Sequence, residues 1–429
     1  MADLLIRGGT VLDPAQGLDA RLDVRIRDGR VAEVGGRLKG EEPVLDASGL
    51  VVAPGLIDAH VHFREPGDED EETIASGSAA AAAGGFTSVA CMPNTEPALD
   101  SESAISFVYL QAQKAGLCNV YPVGAVTKGR AGLELAEMGG MVRGGAKAFS
   151  DDGDSVPSAG VLRRAMEYTR MLDRPILEHC EDPSLVGEGV MHEGVVSTQL
   201  GLPGSPAEAE EMIVARDVML AALTGARLHI QHVSTAGSVE LVRRAKAQGL
   251  AVTAEVTPHH LFLIDEMVRG YDPSYKMAPP LRTAEDAAAC RAGLKDGTID
   301  MIVSDHAPHS TEEKEVDFPA AAFGAIGLES TVGMVLTELV HAGHMTLAEL
   351  LPRLTTAPAG LLGIDRGALR VGAAGDVTLL DPDRAWFIDP DAFRSKSRNC
   401  PFAGHRCRGR AVATVLGGRV VFRLDENGS

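Results

Sequence analysis

From about residue 54 to residue 365 the chain alternates short apolar runs with helical stretches, eight times over. The first apolar run ends near Asp58; the others cover 86–91, 120–126, 144–149, 175–178, 227–231, 250–255 and 299–304. Helices are expected between them, for example over 74–83, 158–172, 207–223 and 237–247. Strand, helix and parallel strand form the unit of α/β folds. Eight such units in succession predict a closed (β/α)8, TIM-like barrel. No repeat with a period of roughly 20–50 residues occurs, which excludes a solenoid.

A barrel of this kind takes about 250 residues, so a chain of 429 has room for a second module. Both ends read as strands and turns. Leu22-Asp23-Val24-Arg25-Ile26 alternates cleanly, and Asp28-Gly29 marks a hairpin turn before Val31. Near the other end, Asp376–Asp381 and Ala411–Leu416 are predicted strands, and Gly417-Gly418 turns the second into Arg419–Phe422. The expected organisation is therefore a catalytic barrel over 54–365 and a small β-sandwich domain built from both termini, 1–53 and 366–429.

Composition narrows the function. A net charge of −20 with no Lys/Arg run argues against a nucleic-acid surface, and an anionic substrate would need local cations. The N-terminus has no signal-peptide pattern, and no apolar run is long enough to span a bilayer. The six cysteines include no Cys-x-x-Cys pair. A reduced, cytoplasmic protein with buried thiols is expected.

His60-Val61-His62 closes the first apolar run. Residues two apart on a strand face the same way, so both imidazoles can reach one ion. Asp152 follows the fourth predicted strand, His179 the fifth, His232 the sixth and Asp305 the eighth. Barrel enzymes carry their chemistry at the carboxyl ends of strands, so these six residues are expected to converge on one rim. Imidazoles and carboxylates without thiolate suit zinc in an open site. Six ligands exceed one tetrahedral ion and fit a pair that shares a carboxylate and a hydroxide, roughly 3.5–4 Å apart. His60, His62 and Asp305 are assigned to one metal, His179 and His232 to the other, and Asp152 lies between them. Asp305 is the candidate general acid/base, and the chemistry is hydrolysis, or its reversal, at an amide-like carbon. His229 is expected to pack on the opposite face, and His259 and His260 to support the site or the structure.

The segments Asp58–Gly67, Met92–Thr95, Lys147–Gly153 and Ser304–His309 resemble the motifs of class I bacterial dihydroorotase, of the amidohydrolase superfamily. The resemblance runs essentially end to end. It implies a zinc-dependent cyclic amide hydrolase that interconverts N-carbamoyl-L-aspartate and L-dihydroorotate in pyrimidine (UMP) biosynthesis, with zinc-activated hydroxide. Substrate contacts are implied at His62, Arg64, Asn94 and His309, and at Phe323 and Gly324 through their backbone. Residues 306–322 would form a mobile loop over the site. Such enzymes are often homodimers or work in complex with aspartate transcarbamoylase.

Two features depart from the simplest version of this reading. Ala278 stands where the family usually has asparagine, which removes a side-chain hydrogen bond to substrate. Lys147 lies near the end of the fourth predicted strand, where many superfamily members bridge their metals through a carboxylated lysine. A carboxylated Lys147 would fit a hydantoinase or allantoinase. A catalytically silent subunit of an aspartate transcarbamoylase assembly is a further alternative.

Overall fold

The computed structural model describes residues 2–425; Met1 and residues 426–429, the end of the predicted C-terminal segment, lie outside the described residues. The fold is mixed α/β. Strands Leu56–Val61, Phe86–Cys91 and Asn119–Pro122 form one parallel sheet. Ile176–Glu178, Leu228–Ile230, Val252–Val256 and Met301–Ile302 form another. Phe149 connects the two through parallel bridges to Gly124 and Ile176, and a parallel bridge joins Val61 to His306. The His62 amide donates to the His306 carbonyl at 2.9 Å, and the Ser304 amide to the Asp58 carboxylate at 3.0 Å. The last parallel segment is thereby tied to the first.

Every residue of Leu56–Val61 and Phe86–Cys91 is buried, as expected for parallel strands covered on both faces. Helices Ile74–Gly84, Ala159–Met171, Glu208–Thr224 and Ala236–Ala247 fall where the sequence predicts them. The first begins at a Thr73/Ser76 capping box and is rich in alanine. Its Gly77 lies against the Phe63 ring, where a Cβ would collide, so the small residues let the helix approach closely.

The predicted fourth strand is the main difference. A helix runs through Met138–Gly144 and is capped by Gly145 at φ 108°, so only Phe149 pairs in ladder fashion. The Gly144-Gly145 pair ends a helix here instead of opening a strand.

The two ends of the chain share a six-stranded sheet. Its order is Arg419–Arg423, Arg406–Leu416, Val377–Phe387, Val51–Pro54, Thr10–Asp13 and Leu18–Arg21. Val51–Pro54 runs antiparallel to the start of Val377–Phe387. A four-stranded sheet orders Arg30–Gly35, Asp23–Arg27, Leu4–Arg7 and Val44–Asp46. Asp28 and Gly29 both have positive φ, 48° and 74°, as the tight turn requires. Ile6, Val24, Val52, Val377 and Val415 share one apolar cluster between these sheets. All six cysteines are buried and free. No helix among the described residues is long and apolar enough to cross a membrane.

Candidate active site

His60, His62, His179, His232 and Asp305 lie at or just past the carboxyl ends of parallel strands, Asp152 follows the bridged Phe149, and the six residues meet. Asp152 is at the centre. Its Oδ2 lies 3.4 Å from Nε2 of both His60 and His62. Its Oδ1 lies 3.6 Å from His232 Nε2 and 3.8 Å from His179 Nδ1. Asp305 Oδ1 lies 3.1 Å from His62 Nε2 and 3.5 Å from His60 Nε2. Ligand atoms of His60, His62 and Asp305, and again of His60, Asp152 and His232, fall within 4.8 Å of one another.

Three of the four imidazoles are aimed by a partner on their other nitrogen, while His232 Nδ1 is buried without one. His60 Nδ1 lies 2.5 Å from Glu255 Oε1, His62 Nδ1 2.8 Å from Asn94 Oδ1, and His179 Nε2 3.0 Å from Glu181 Oε2. Such partners fix the ring orientation and raise ligand basicity. Glu255 and Glu181 are supports that the sequence reading does not single out. A glutamate inside the apolar strand Val252–Val256 was the available signal for the first. His229, expected to pack, donates instead toward Glu255 Oε2 at 2.9 Å. His260 is structural: its Nε2 meets the Pro279 carbonyl at 3.0 Å.

The donor set fits a divalent cation. His60 Nε2 and Asp152 Oδ1 are buried and have no hydrogen-bond partner, although they face each other's ligand groups. Leaving such atoms unpaired costs about 1–3 kcal/mol each, and a cation would satisfy them. Burial opposes ionisation of Asp152, but the neighbouring imidazoles, His60 first, hold its carboxyl well below the usual range. Asp305 is likewise held low against burial by His60 and His62. Burial also works against a charged His60, yet Asp152, Glu255 and Asp305 raise it well above an ordinary imidazole. His232 and Asp305 adopt positive φ, 29° and 46°, and Arg64 does so at 59°. Non-glycine residues in that region cost about 1–3 kcal/mol each and cluster where function demands them.

A cavity of about 310 Å3 opens from this centre, lined by His62, Arg64, Asn94, His309, Phe323 and Gly324 among others. The expected substrate contacts therefore share one wall system with the ligands. Arg64 Nε is paired with Glu71 Oε2 at 2.8 Å and donates to the Pro308 carbonyl, while its Nη2 lies 3.1 Å from His309 Nε2. Ala278 also faces the cavity and offers no polar side-chain group there. Lys147 is elsewhere: its ammonium lies 5.8 Å above the Tyr121 ring. In the expected mobile loop, 306–322, residues 311–313 and 315–317 are exposed, and Lys314 and Phe318 are buried. Thr311–Lys314 forms a helical turn, and Phe318 is buried in an apolar cluster with Val190, Met191 and Val268.

A family model described as "Dihydro-orotase-like" matches residues 49–238. The chain is 56% identical to a dihydroorotase of Pelotomaculum thermopropionicum over 98% of either chain. It is 52% identical to a dihydroorotase of Citrifermentans bemidjiense, over 98% of this chain and 100% of the relative. Among solved structures, an L-hydantoinase (dihydropyrimidinase) from Arthrobacter aurescens superposes with a TM-score of 0.87 at 27% identity, covering 100% of this chain and 97% of that one. A dihydropyrimidinase from Brevibacillus agri gives 0.85 at 24%, covering 98% and 95%, and bears on the fold alone. With relatives of one name matching it at more than half identity along nearly its whole length, the chain belongs to the dihydroorotase family.

Proposed function

We propose that this protein is a dihydroorotase of class I, in the amidohydrolase superfamily. It interconverts N-carbamoyl-L-aspartate and L-dihydroorotate in cytoplasmic pyrimidine biosynthesis. One observation carries the reading: a buried carboxylate, Asp152, faces four imidazoles at the end of a cavity that also holds Arg64, Asn94 and His309. A cation centre beside a carboxylate clamp is what a cyclic amide with a free carboxylate requires. We read the parallel segments, linked through Phe149 and His306, as a (β/α)8 barrel over 54–365. The sheets from 1–53 and 366–429 then make up the second domain.

His60, His62 and Asp305 would hold one zinc, His179 and His232 a second, with Asp152 between the two. Bound there, the metal would lower the pKa of water and polarise the scissile carbonyl. Asp305, ionised and beside His62, takes the proton of the attacking water and delivers it to the amide nitrogen as the carbon–nitrogen bond breaks. In the ring-closing direction the same carboxylate accepts the nitrogen's proton as the carbon–nitrogen bond forms, and returns it to the departing oxygen as the carbon–oxygen bond breaks and water leaves. Arg64, with Asn94 and His309, orients the substrate carboxylate; a guanidinium fork matches that group. With alanine at 278 that side-chain hydrogen bond is missing, at a cost of about 0.5–1.5 kcal/mol of substrate binding unless backbone or water replaces it.

A hydantoinase reading would need Lys147 as a bridge, and its ammonium lies against Tyr121. A silent subunit would be expected to lack candidate ligands, and this chain has all six residues. The test is turnover by purified protein of dihydroorotate, N-carbamoyl-L-aspartate and hydantoin in parallel. Turnover of the first two alone is expected; turnover of hydantoin without dihydroorotate would overturn the reading.

A further inference from the structure

Two lysines, Lys276 and Lys314, are buried beside the cavity, at 2% and 7% exposure. Their hydrogen bonds go to main-chain carbonyls. Lys276 Nζ donates to Pro319 O at 2.9 Å and Ala321 O at 2.6 Å. Lys314 Nζ donates to Ala322 O at 2.8 Å, Gly324 O at 3.0 Å and Lys276 O at 3.4 Å. The Lys276 ammonium also lies 4.3 Å above the Phe323 ring. In return the Gly324 amide donates to Lys276 O at 2.9 Å.

The stretch 319–324 thus wraps around two buried lysine amino groups and belongs to no helix or strand. An ammonium has three donors and is costly to bury without partners; here the carbonyls replace its water. The dependence is mutual, because irregular backbone without those donors would leave its buried carbonyls unpaired. Phe323 and Gly324, the last residues of the stretch, line the catalytic cavity, and Phe323 O lies 2.7 Å from His309 Nε2.

We propose that Lys276 and Lys314 are positioning residues: they hold the Phe323–Gly324 backbone in its substrate-facing place and so set substrate affinity without touching the substrate. The proposal rests on the reading that dihydroorotate binds in this cavity. Lys314 itself lies within 306–322 and ties that segment to Ala322 and Gly324.

The test pairs amide hydrogen exchange with steady-state kinetics on the full-length, metal-loaded Lys276→Met and Lys314→Met variants. Exchange across 319–326 is expected to quicken about tenfold or more, with KM for dihydroorotate rising about tenfold and kcat holding within about twofold. Unchanged exchange, or a fall in kcat at constant KM, would overturn the proposal. Should neither variant fold, wild-type protein still decides: the bonded amides of Ala321, Ala322 and Gly324 must be protected, and free exchange there sinks the idea. Exchange is read without substrate, so an inactive wild type would refute the dihydroorotase reading while the exchange result still judges the lysines.

Discussion

His60 turns its Nδ1 to Glu255, whose Oε1 lies 2.5 Å away, and thereby presents Nε2 to Asp152. Burial opposes the charge on Glu255, but His60 and His229 bring its carboxyl down to about 2, so it stays an anion and pulls on the imidazole proton. Glu255→Gln keeps the shape and removes that charge. Metal affinity is expected to fall by roughly 10–100-fold. Competition with a chelating dye measures it, and an unchanged affinity would remove Glu255 from any role at the centre.

Asp305→Asn tests the proton carrier. The amide retains an oxygen near His62 but cannot accept a proton, so kcat should fall by roughly 10²–10⁴ while bound metal stays near the wild-type amount. Elemental analysis alongside the kinetics separates lost chemistry from lost metal. A near-normal rate assigns proton transfer to another group.

Arg64 is not a free guanidinium, because Glu71 lies 2.8 Å from its Nε. Arg64→Ala should raise KM for dihydroorotate by roughly 10–150-fold, the range of a hydrogen bond to a charged group. Part of that loss comes from the stranded Glu71 carboxylate repelling the substrate's own. Arg64→Ala combined with Glu71→Gln should therefore recover several-fold in KM. A double variant no better than the single one excludes the repulsion.

Glu329 sets a pH dependence of stability away from the site. Burial raises its carboxyl to about 7, outweighing the amides of Arg394 and Ser395 that donate to it. The folded state then holds this proton more tightly than the unfolded one. The contribution is complete below the ordinary carboxyl range and is lost as pH rises through about 7. Thermal midpoints should decline over that window, and Glu329→Gln should flatten the decline. An identical pH profile for the variant would contradict the assignment.

Much of this was legible in the sequence, for identifiable reasons. The clustering of the candidate ligands could be read because each follows an apolar run, and parallel strands buried on both faces give such runs. Their supports could not. Glu255 is one acid in Val252–Val256, and nothing local says that His60, far away in sequence, is its partner. Gly144-Gly145 fits a strand start or a helix cap equally well, and packing decided for the cap. Nothing in the sequence marks Lys276 and Lys314 as buried, because lysine is almost never buried and only the fold brings carbonyls to it.

The most direct measurement is the rate of dihydroorotate hydrolysis before chelation, after exhaustive removal of metal, and after zinc is returned. The account predicts a rate that drops to background on stripping and recovers with zinc, as expected if His60, His62, Asp152, His179, His232 and Asp305 hold the ion that activates water. Full activity in verified metal-free protein would contradict it.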